Sequence, residues 1–95
     1  MVKAYLQVTM FINDNQRATA QAVYERYKEP FLKTIAGAES KELLVRSEDV
    51  EVMHGFDSLE NAQAYLKSEL FLNKVFPELK LTWSKDPEVK IYEVK

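Results

Sequence analysis

Ninety-five residues, 46% hydrophobic and 29% charged, suit one globular domain spanning residues 1–95 and leave no room for a second core. A net charge of −2, from 13 basic and 15 acidic residues, argues against nucleic acid as a partner, because such binders carry a basic excess that displaces counterions from phosphates. The absence of cysteine removes disulfides, thiolate metal sites and thiol nucleophiles together.

The opening "MVKAYLQV" has an early lysine but no apolar core followed by a small-residue cleavage site, and no apolar run approaches the ~20 residues that span a bilayer. The expectation is a cytoplasmic protein without a membrane partner. "VKAYLQVTMFI", from Val2 to Ile12, alternates apolar even positions with mixed odd ones and reads as a first strand. "NDNQ" breaks it. From about Asn15, Ala20, Val23, Tyr24, Tyr27, Phe31 and Ile35 recur at helical spacing, with Pro30 expected to kink the run or start a second short turn and Gly37 to end it. "SKELLVRS" and "EDVEVMHGF" form a predicted hairpin. Asp57 then caps a second helix, with Glu60 completing a capping box, and this helix runs to about Phe76, where Pro77 stops or bends it. Residues 78–86 read as a linker, and "DPEVKIYEV" as the last strand.

This order, β-α-β-β-α-β, predicts an α+β, ferredoxin-like domain: a four-stranded antiparallel sheet with two helices on one face. The other face carries Tyr5, Thr9, Phe11, Leu44 and Tyr92 by parity, too apolar for open solvent. "ELFLNKVFPEL" is also broader than one amphipathic stripe. Both features predict a homodimer.

His54, the sole histidine, shares parity with Val52 and Phe56. On a helix-covered face it is a residue of the core margin. On an open face its imidazole lines a cavity as a candidate catalytic base or hydrogen-bond anchor. Arg46, Tyr5, Tyr92 and Trp83 form a second candidate group, an aromatic pocket with one cation suited to a small aromatic or acidic ligand. Ordinary interface aromatics and an edge arginine explain the same residues. One histidine and no cysteine provide no transition-metal site within one chain. Two glycines, with no P-loop, G-x-G-x-x-G or G-x-S-x-G, provide no phosphate cradle or nucleophile elbow. "EVMHGF" lacks the aromatic third-strand motif of RNA-recognition modules.

With these elements placed, residues 37–76 resemble the antibiotic-biosynthesis-monooxygenase family of dimeric α+β barrels. The resemblance rests on "HGF" at His54–Phe56, on Ser58 and Glu60, and on "AYLKSELF" at Ala64–Phe71, with spacing that agrees without gaps. Departures are His54 for a common glutamate, Phe56 for tryptophan, and Tyr65 and Leu70 for histidines. The haem-degrading branch carries tryptophan where Tyr65 stands and a ligating histidine where Val75 stands, and an isopropyl group ligates no iron. The resemblance implies a homodimer with a cavity in each subunit. It also implies a cofactor-independent monooxygenase chemistry on a small aromatic or quinol-type molecule, with His54 as proton acceptor and Tyr5, Arg46, Tyr65, Trp83 and Tyr92 around the ligand. A non-catalytic sensing domain and a pure dimerisation module stay open beside it.

Overall fold

The computed structural model describes all residues, Met1–Lys95. Strand β1 (Ala4–Ile12) leads into helix α1 (Asp14–Thr34), then strands β2 (Ala38–Val45) and β3 (Val50–Phe56) and helix α2 (Leu59–Tyr65). A π-helical turn at Phe71–Val75 continues into α3 (Phe76–Lys80), and β4 (Trp83–Glu93) ends the fold. The four strands are antiparallel in the order β2-β3-β1-β4, the predicted ferredoxin-like arrangement. The alternation in β1 is complete: Ala4, Leu6, Val8, Met10 and Ile12 are buried, while Tyr5, Gln7, Thr9 and Phe11 are half-buried on the other face.

Local chemistry moves several boundaries. Helix α1 continues through Pro30 to Thr34 rather than restarting there, and the Thr34 hydroxyl donates to the Pro30 carbonyl at 2.7 Å. Gly37 follows in the left-handed region (φ +76°), where a Cβ would collide with Asp57 and Asn61. Ser58, not Asp57, caps α2: its Oγ accepts from the Asn61 N–H at 3.1 Å, while Asp57 Oδ1 accepts from the Asn61 amide. The single long second helix is in fact two segments, because α2 ends at Tyr65 and the chain turns before the π-helical stretch. Pro77 directly follows the π-helical turn inside one continuous helical run, so it does not stop the helix. The predicted linker becomes the end of α3 and the first residues of β4.

Candidate functional site

Two cross-strand rows on the helix-covered face position the site. Lys41, His54, Leu6 and Ile91 lie side by side across the sheet, followed by Leu43, Val52, Val8 and Val89. Alternation in β3 therefore takes His54 under the helices. Only 3% of it is exposed, and its ring packs against Phe31 at 5.2 Å and Tyr65 at 5.4 Å. Its Nδ1–H donates to the Leu6 carbonyl at 3.1 Å, which leaves Nε2 as an acceptor without a partner in the chain. Burial first, and then the charge of Lys41, push the His54 pKa down to about 3. The imidazole is thus neutral and weakly basic, which matches the first of the two sequence alternatives, a residue of the core on the helix-covered face.

Lys41 is the residue the sequence reading missed. It is 3% exposed, and no carboxylate lies within 4 Å of its ammonium. Its Nζ stands over the rings of Phe31 at 5.2 Å and Tyr24 at 5.6 Å. The Tyr24 hydroxyl donates to the Lys41 carbonyl at 2.8 Å, tying α1 to β2 beside it. Burial, assisted by the charge of Lys28, lowers the Lys41 pKa to about 8. A signal was available: in "SKELLVRS" Lys41 shares parity with Leu43, so it occupies an apolar position of the strand.

Lys41, His54 and Tyr24 line a cavity of about 20 Å³ between sheet and helices, otherwise apolar. One water needs roughly 10–15 Å³ by this measure, so the space accepts one water-sized group. Beside it, between β4 and the helical segment after α2, opens a groove of about 670 Å³. That is the size of a small-molecule site. Phe71, Phe76, Trp83 and Val89 line the groove, with Lys80 and Lys85 also contributing. Trp83 stacks on Phe76 at 5.6 Å, and its indole N–H is buried with no acceptor. Val8, Phe71 and Leu79 border both spaces. Phe71 begins the π-helical turn, an irregularity frequently found at functional sites.

The predicted aromatic pocket with one cation does not assemble within the chain. Trp83 belongs to the groove on the covered face. Tyr5 and Tyr92 are cross-strand partners on the opposite face, Tyr92 being 52% exposed. Arg46 lies beyond both, in the β2–β3 turn, at the other end of the sheet from Tyr5. There its guanidinium grips Asp49 through two hydrogen bonds of 2.8 and 2.7 Å. These bonds hold the Asp49 carboxyl below its usual range and Arg46 above its own. The Arg46 carbonyl accepts from Arg17 at 2.6 Å, so this residue ties the hairpin to α1. Tyr65 sits in the aromatic core among Phe31, His54, Phe56 and Phe71 and does not line the groove. Its hydroxyl is buried without a partner, and burial raises its pKa, keeping it neutral.

No group of three or more His, Asp or Glu side chains is placed to hold a metal ion, and no helix is long and apolar enough to cross a membrane. No family model matches the chain. No curated protein matches it either. Solved structures do. A conserved protein from Methanosarcina mazei superposes with a TM-score of 0.85 at 16% identity, covering 100% of this chain and 95% of that one. A protein from Bordetella bronchiseptica, named as a candidate antibiotic biosynthesis monooxygenase, gives 0.85 at 10% identity, covering 100% and 99%. One so named from Caulobacter crescentus gives 0.84 at 10% identity, covering 99% and 91%. Over its whole length the chain thus has the ferredoxin-like fold of structures named for the antibiotic-biosynthesis-monooxygenase family that its sequence resembles.

Proposed function

We propose that the protein is a homodimeric, cofactor-independent monooxygenase-like enzyme whose substrate is a small aromatic, quinol-type molecule held in the groove beside β4. The observation that carries this reading is the groove itself: about 670 Å³ lined by Phe71, Phe76 and Trp83. Aromatic walls stack on a planar ring. In the reaction, the electron-rich carbon of the substrate anion reacts with dioxygen. One oxygen atom stays on that carbon, and the other leaves as water with two substrate hydrogens. Such chemistry needs a dry pocket and a proton acceptor, not a metal. Solvent takes the proton in this reading, because His54, buried beside the groove with a pKa of about 3, serves only as a hydrogen-bond acceptor, and the substrate must be held as its anion by another group. The half-buried Tyr5 and Phe11 and the exposed Tyr92 and Leu44 on the open sheet face favour a second copy packed there.

The low basicity of His54 favours a second reading, a binding or sensing domain that uses the same groove without turnover. Oxygen uptake on a panel of hydroquinones and naphthols separates the two. The enzyme reading expects uptake by the wild type, reduced at least tenfold by Trp83→Ala through a raised KM. Binding without uptake on every substrate leaves the sensor. No binding at all removes both.

A further inference from the structure

The molecule holds one buried cation with no counter-charge, and it lies behind the wall of the groove. Lys41 is 97% buried by its 3% exposure, forms no salt bridge, and has its ammonium within no hydrogen bond in the chain. The charged and titratable groups around it are Lys28 and Tyr24 from α1 and His54 from β3, and no carboxylate is among them. A charge in such a place is costly unless something pairs with it. Aromatic faces from Tyr24 and Phe31 soften that cost but leave the three N–H donors unused.

The empty volume is matched to what is missing. At about 20 Å³, the Lys41 cavity accepts one oxygen function but not a ring. The ring-sized space is the groove, which shares Val8, Phe71 and Leu79 with the cavity. We propose that Lys41 is the anchor for an anionic oxygen, a phenolate or enolate, of an aromatic ligand whose ring lies in the groove, with the Phe71 side chain as the partition that turns aside to admit it. His54 Nε2, which can only accept, then suits a neighbouring hydroxyl of the same ligand and disfavours a second anionic oxygen. The ligand class is accordingly a monoanionic phenol or hydroquinone, not a dicarboxylate. This inference rests on the groove being the ligand site. It adds the group that holds the substrate as its anion, the condition left by the weak basicity of His54.

The test uses the full chain and 4-nitrophenol, whose anion absorbs at longer wavelength than its acid. Bound to the wild type, the probe is expected to ionise at lower pH than in free solution. In Lys41→Met that shift disappears and affinity falls roughly tenfold, as expected for loss of a charge-assisted hydrogen bond. Trp83→Ala is expected to weaken binding while the bound probe stays anionic. Lys41→Met removes a charge from the core at nearly constant volume, and far-UV circular dichroism checks its fold. A measurement that needs no variant follows the Lys41 ammonium by NMR: with the probe bound it should hold its proton to higher pH. The proposal is overturned if Lys41→Met binds and ionises the probe as the wild type does, if the Lys41 titration ignores the probe, or if the wild type binds none. A wild type that ionises the probe through Lys41 but consumes no oxygen with any hydroquinone supports the anion site and removes only the oxygenase reading.

Discussion

The two faces of the sheet present the same four strands to opposite environments. On the covered face, Leu6, Val8, Met10, Val52 and Phe56 join α1 and the later helices in one core, and two cationisable side chains, Lys41 and His54, are buried among them. On the open face the same strands carry Tyr5, Thr9, Phe11, Leu44 and Tyr92, mixed with Glu51, Glu88 and Lys90 and half in contact with solvent. The covered face binds its polar groups tightly to its own backbone or leaves them unpaired beside a cavity. The open face leaves its aromatics half in contact with solvent. The contrast teaches that ionisable groups of the covered face reveal themselves through stability and ligand chemistry, whereas residues of the open face are where the proposed association is tested.

The largest expected effect comes from His54. Its pKa is about 3 in the folded chain against an ordinary 6.5, so the unfolded chain binds the proton more readily. Stability from this group is complete above about pH 6.5 and is lost as pH falls towards 3. At about 1.4 kcal/mol per unit this amounts to roughly 5 kcal/mol, the lower end of a small domain's whole stability. Denaturant melts of wild type and His54→Phe from pH 7 to 4 measure it. Equal slopes in the two proteins would show that His54 is not buried as described.

Next is Phe31, fully buried against His54, Phe56 and Tyr65. Phe31→Ala should cost about 3–5 kcal/mol through lost burial and a cavity. A loss under about 1 kcal/mol would mean the covered face tolerates repacking. Lys41 works in the other direction. Its folded pKa of about 8 against 10.5 means its burial cost is complete below pH 8 and is relieved as pH rises to 10.5. Lys41→Met should therefore be more stable than wild type by up to about 3 kcal/mol at pH 7, with the gap closing above pH 8. A destabilised Lys41→Met would point to an internal partner for the ammonium.

The smallest effects on the fold belong to the open face, where Leu44→Lys with Tyr92→Lys should leave circular dichroism unchanged. Native mass spectrometry should then read a dimer for wild type and a monomer for the pair. A monomeric wild type would refute the association proposed for that face.

Much of this was legible in the chain. The alternation of β1 and of "VEVMHGF" fixed which residues share a face, and the element order fixed the sheet topology. Capping and breaking signals were less faithful, because Ser58 and Asp57 compete for one helix start and the helical run continues through Pro77. The grouping of Arg46 with Tyr5 and Tyr92 failed because parity assigns a face but not a position along the sheet. Five residues of strand, roughly 17 Å, separate the row of Tyr5 from that of Val45, beside Arg46.

The sequence by itself determined the period of each element, and with it which residues share a face and the sheet topology. Only the tertiary structure decided which face the helices cover, and so that His54 is a neutral core imidazole and Lys41 an unpaired internal cation. The reason is physical: a period of two divides residues into two sets, but the solvent seen by each set depends on packing from segments distant in the chain. The same holds for the groove. Phe71, Phe76 and Trp83 are ordinary apolar residues until the break after α2 and the π-helical turn set them around an empty volume instead of closing it.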